Sequence, residues 1–187
     1  MKKLYGIMAA AVLLAAVFVP CLTAETPAAD VSVSLTFTRQ SGFASNQIAV
    51  WVEDSEGNLV KTLFVTKFTG KGGWKKRPNC VPVWLERSDI ANAPRKNIDA
   101  VTGATPKTGP LSFKWDGSDQ NGNRVPSGEY IICVEGTLRD ASRVLYTGRI
   151  ILGGDRQSVE LTPEYTGTAA DSKEKNMIAA VIAVYHP

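Results

Sequence analysis

The chain has 187 residues, 44% of them hydrophobic, and a formal net charge of +3. That length suits a single domain with a substantial core. So small a net charge gives no case for nucleic-acid or membrane-surface binding.

Residues 1–24 read as a secretory signal peptide: Lys2 and Lys3, an apolar run from Ile7 to Val19, then Pro20 and small residues before Glu25. The run is shorter than the roughly 20 residues a spanning helix needs. Cleavage after Ala24 removes two lysines and no acid, so the exported protein is close to neutral. Cys21 invites a lipoprotein reading, but Pro20 stands where lipid attachment wants a small residue. Residues 25–187 are then one exported domain. Cys80 and Cys133 remain, in a compartment that permits disulfides. A bridge between them and a pair of separate thiols, Cys133 on a strand and Cys80 in a loop, both fit the sequence. There is no C-x-x-C to suggest a dithiol oxidoreductase or attached haem.

Strand patterning begins after a short linker, Thr26 to Ala29. Val31, Val33, Leu35 and Phe37 alternate with Ser and Thr, the period of a half-buried strand. Ile48, Val50 and Val52 alternate likewise, and Leu59 to Val65 returns after the turn residues Asp54 to Asn58, which predicts a hairpin. Residues 67–98 break the pattern and read as a long insertion with a short helix around Ser88 to Ala93. Its many cations read as a solvated excursion, while Trp74 and Trp84 fit either pins to the core or parts of a functional loop. Further strands are predicted over 111–115, 130–134, 144–152, 158–165 and 177–185, with a polar connection from Asp171 to Asn176. Many short strands with frequent turns predict an all-β fold, an immunoglobulin-like β-sandwich with a long loop insertion.

Two motifs stand out. The first, Asp99-Ala100-Val101-Thr102-Gly103-Ala104-Thr105, resembles the flavin-attachment motif of extracytosolic FMN-binding domains, D-x-x-[ST]-G-A-[ST]. There a transferase esterifies FMN onto the last hydroxyl residue. The resemblance implies Thr105 as the attachment point, Asp99 and Thr102 as recognition or positioning residues, and Gly103 and Ala104 as room around the acceptor. Trp84 or Trp74 would offer a stacking surface for the isoalloxazine. Thr108 loosely matches a further hydroxyl residue found after many such sites. Without a flavin, the same residues are ordinary turn formers.

The second motif, Trp115-Asp116-Gly117-x-Asp119-x-x-Gly122-x-x-Val125-Pro126-x-Gly128-x-Tyr130, resembles a signature of flagellar-hook-cap-type immunoglobulin-like modules. Its glycines serve tight turns and its acids bond turn amides, which makes it a marker of fold. A calcium loop fails on spacing, because Arg124 stands where glycine is needed and Tyr130 where the bidentate Glu would be.

The order of these motifs, with Trp84 in a Pro-Val-Trp context before both, resembles the bacterial exported family called domain of unknown function 2271. The sequence departs from that family after Glu135, where Gly136 to Ala141 holds no histidine. Such domains resemble companions of flavin transferases and membrane reductases. The resemblance implies a periplasmic, non-catalytic component of an envelope redox system, with FMN on Thr105 as an electron relay. Its partners would be a flavin transferase and membrane redox proteins. The competing expectation is a cofactor-free binding or structural module.

Hydrolytic chemistry finds no support. The one histidine, His186, adjoins Pro187 and reads as solvated, and no G-x-S-x-G, H-E-x-x-H or P-loop occurs. The acids read as scattered through turns, so no paired-carboxylate mechanism suggests itself.

Overall fold

The computed structural model describes residues 30–41, 45–139, 142–167 and 176–187. The predicted signal peptide, the linker after it and the connection Asp171 to Lys175 lie outside the described residues. Ten strands form two sheets: β1 Asp30–Phe37, β2 Gln47–Asp54, β3 Leu59–Thr66, β4 Thr102–Gly103, β5 Gly109–Trp115, β6 Gly128–Arg139, β7 Ser142–Leu152, β8 Gln157–Glu160, β9 Thr162–Gly167 and β10 Ile178–His186. One sheet runs β5-β1-β10-β8 and the other β4-β3-β2-β6-β7-β9. The fold is an all-β sandwich.

β1 behaves as its alternation predicts: Val31, Val33, Leu35 and Phe37 turn into the core while Ser34 and Thr36 face solvent. They meet Ile48, Val50 and Val52 of β2 and Ile132 and Val134 of β6 in one continuous cluster. Trp115 and Tyr130 close one end of it, with ring centroids 5.0 Å apart and nearly edge to face. Trp115 donates its indole N–H to the Ser118 carbonyl at 2.8 Å, and Tyr130 its hydroxyl to that of Pro126 at 2.7 Å. Between them, Asp119 Oδ1 accepts the amides of Asn121 and Asn123 at 2.8 and 2.9 Å. The Asp-Gly segment is therefore a self-satisfied turn, its carboxylates engaged by the chain's own donors.

The predicted strand 158–165 is two strands in opposite sheets. β8 pairs with β10 and β9 with β7, and only Leu161 separates them. Leu161 is buried and its side chain lies against Gly148 of β7, where a Cβ would stand 2.8 Å from it. Alternation continues through the junction, so periodicity does not mark the change of sheet.

The insertion differs most from expectation. Its helices are α1 Lys67–Gly70, α2 Pro82–Ser88 and α3 Arg95–Val101, with a 3-10 turn at Gly73–Lys75. The segment expected to be helical, Ser88 to Ala93, is mostly the turn between α2 and α3. The cations of residues 67–77 are exposed as expected, but α2 and α3 make a third layer on the outer face of the six-stranded sheet. Ala49, Trp51, Val65 and Cys133 of the sheet pack there against Val81, Trp84 and Ile98. This explains why β2 is buried on both faces nearly throughout. No helix among the described residues is long and apolar enough to cross a membrane.

Candidate functional site

The heptapeptide starts on a helix and ends on a loop. Asp99, Ala100 and Val101 form the last turn of α3, and Thr102 and Gly103 are β4, parallel to β3 through Val65↔Thr102 and Thr66↔Gly103. Asp99 Oδ1 receives Lys71 Nζ at 2.5 Å. That hydrogen bond and the Lys71 charge hold its carboxyl below the usual aspartate range. Thr102 donates its hydroxyl to the Ile98 carbonyl at 2.6 Å, closing the C-terminus of α3. Gly70 lies against the same side chain, where a Cβ would come within 2.4 Å of Thr102 Oγ1.

Gly103 faces the Phe64 ring so closely that a Cβ would stand 2.4 Å from Phe64 Cε2. Its lack of a side chain thus admits an aromatic ring. Ala104 is exposed and Thr105 half-buried. Among the described residues, Thr105 Oγ1 has no hydrogen-bond partner. Thr108 is tied elsewhere, its hydroxyl oxygen accepting the Arg39 amide at 3.0 Å.

The expected stacking surfaces lie otherwise. Trp84 is fully buried, and its indole N–H donates to Thr62 Oγ1 at 3.0 Å, so it offers no open face. Trp74 is half-buried with Lys75 Nζ 5.6 Å from its centroid. The ring placed against the motif is Phe64, tilted against Phe113 at 5.3 Å.

The sequence reading missed a polar seam under the insertion. Glu135 projects from β6 into the interface with α2 and is fully buried. Its two oxygens accept the amides of Val83 at 3.2 Å and Trp84 at 2.9 Å, which caps the start of α2 from a neighbouring strand. Thr137 accepts the Val81 amide at 3.1 Å. Burial pushes the Glu135 carboxyl up to about 7, against the pull of those amides and of Arg143. Glu53, also buried, accepts Trp51 Nε1 at 2.8 Å and Arg87 Nε at 3.1 Å. These two acids sit on strands and not in turns, a correction to the expectation. Both are engaged by structural partners.

Cys133 lies between them on the sheet. Burial and the nearby Glu53 raise its thiol far above the ordinary value. Cys80 and Cys133 are both buried and do not form the bridge considered above. Beside α2 a groove of about 560 Å³ opens between Trp51, Arg87, Cys133, Thr147 and Glu160. His186 is half-buried on β10, its Nε2 3.1 Å from Ser32 Oγ, and not simply solvated. Among the described residues no buried side-chain nitrogen or oxygen lacks a hydrogen-bond partner. No group of three potential metal ligands assembles among them either.

A family model described as "Predicted periplasmic protein (DUF2271)" matches residues 28–168. The chain belongs to this family. The DUF2271 match takes in β1 to β9, the insertion and the heptapeptide, and its description places the protein in the periplasm. Comparison with curated proteins finds no match, and comparison with solved structures finds none either.

Proposed function

We propose that this DUF2271 domain is a non-catalytic component of an envelope redox system that carries FMN as a phosphoester on Thr105. The observation that carries this reading is the Thr105 hydroxyl: half-accessible, without a hydrogen-bond partner among the described residues, and set just after a segment anchored at Asp99, Thr102 and Gly103. An acceptor loop needs such a pairing of free hydroxyl and fixed base. Attachment joins Thr105 Oγ1 to the flavin phosphorus, breaks the bond to the donor's leaving group and releases the hydroxyl proton. Once bound, the flavin supplies reversible electron transfer, and the protein holds and orients it. Its partners are a flavin transferase and membrane redox proteins.

A cofactor-free binding or structural module is the second reading. It is favoured by the local duties of Asp99 and Thr102, which already tie α3 to α1 and close its end. Intact mass after co-expression with a flavin transferase separates the two. The carrier reading expects a gain of one FMN that Thr105→Ala abolishes. An unmodified mass beside an active transferase leaves the module as the account.

A further inference from the structure

The whole-chain charge hides a local concentration. Residues 67–77 contain Lys67, Lys71, Lys75, Lys76 and Arg77 and no acid. All five are exposed. Lys71 alone is paired, with Asp99; among the described residues no carboxylate pairs with the other four. The same segment carries Phe68, which is 39% exposed and one of only two large hydrophobic side chains on the described surface. The Phe68 ring packs on Gly73 and keeps part of its surface open. Gly73 sits beneath it so closely that a Cβ would stand 2.4 Å from the Phe68 carbonyl oxygen and 2.6 Å from its ring. Arg77 lies 5.8 Å from the Phe68 centroid and Lys75 lies similarly over Trp74.

We propose that the lobe over residues 67–77 docks the protein on an anionic phospholipid surface, with Phe68 entering the headgroup boundary and the lysines and arginine of the same segment meeting the phosphates. Several unpaired cations on one short segment match a layer of lipid phosphates. A soluble polyanion would match the charge equally well but gives no role to an exposed phenyl ring. At a bilayer surface the ring leaves water while its cationic neighbours stay with the phosphates. Outside this segment the residues after the signal hold 14 Lys and Arg against 18 Asp and Glu, so attraction acts through this face and orients the protein. Thr102 packs on Gly70, so docking sets the heptapeptide beside the membrane. The proposal does not depend on a flavin.

Co-sedimentation of the unflavinylated exported protein with vesicles tests it. One set is phosphatidylcholine alone and the other contains about one third phosphatidylglycerol. Binding is expected to the anionic vesicles only and to weaken steeply with salt. Each cation removed should cost about fivefold, so Lys75→Ala with Lys76→Ala lowers partitioning roughly thirtyfold. Phe68→Ala should weaken the binding that survives in salt. Lys114→Ala with Arg156→Ala removes two exposed cations from other faces and should change little. Equal binding to both vesicles, an equal loss in the control pair, or binding to polyglutamate but not to vesicles overturns the proposal.

Discussion

The carboxylate of Glu135 on β6 accepts the backbone amide of Trp84 at 2.9 Å, so a sheet residue caps the helix that covers it. Two layers are thereby joined by a titratable group. Its folded-state value of about 7 lies above the ordinary 4.5 because burial disfavours the anion. The folded state then binds the proton more tightly than the unfolded chain. The resulting stability is fully present below about pH 4.5 and is lost as pH rises through 7.

Urea unfolding across this range should show a loss of up to about 3 kcal/mol from this group. Glu135→Gln should flatten the curve between pH 4.5 and 7. Parallel curves for the two proteins would remove Glu135 as the cause. Glu135→Ala, which leaves two amides without their acceptor, should cost about 1–3 kcal/mol even where the wild-type carboxyl is protonated.

Trp84 anchors the insertion through both its ring and its indole N–H. Trp84→Phe keeps most of the ring and loses the bond to Thr62, for a cost of about 1 kcal/mol. Trp84→Ala empties the second core and should cost about 3–5 kcal/mol. Denaturant midpoints measure both. Similar costs for the two would mean that packing contributes little there.

Gly103 and Thr105 should separate cleanly in stability. Gly103→Ala drives a methyl into the Phe64 ring and should cost about 1–3 kcal/mol. Thr105→Ala removes a half-buried hydroxyl without a partner and should stay within about 0.5 kcal/mol of wild type. Thermal unfolding compares them. A large loss in Thr105→Ala would assign that side chain to the scaffold.

The two thiols should be silent in the native protein. Both side chains are buried, and the Cys133 thiolate is further disfavoured by Glu53. A thiol reagent should label neither cysteine until denaturant is added, and then both without any reductant. Rapid native labelling, or denatured protein that needs reductant first, would contradict this.

Much of the sandwich was legible, because β1 and the β2–β3 hairpin alternate cleanly and their turns carry Asp, Gly and Asn. The third layer was not. Its helices α2 and α3 are seven residues each, too short for a helical period to show against a background of Gly, Pro and Lys. Their covering of β2 leaves a pattern in which Ala49 and Trp51 read equally as half-exposed strand residues. Glu135 did leave a trace, as an acid just past the strand read over 130–134, in a β6 that runs on to Arg139. A charge at that point demands a partner, and the partner is the amide edge of a helix that the pattern did not reveal. The expected flavin surface at Trp84 failed for the same reason: its burial follows from that hidden layer.

β1 and β10 lie side by side, with Asp30 opposite His186 and Val31 opposite Tyr185. The first described strand is thus completed by the last described one. Pairing across so long a separation is slow to form, and it cannot start until β10 has been synthesised. Until then β1 has β5 as its only sheet neighbour and the four-stranded layer is open. Strand order therefore places closure of the four-stranded layer late in folding.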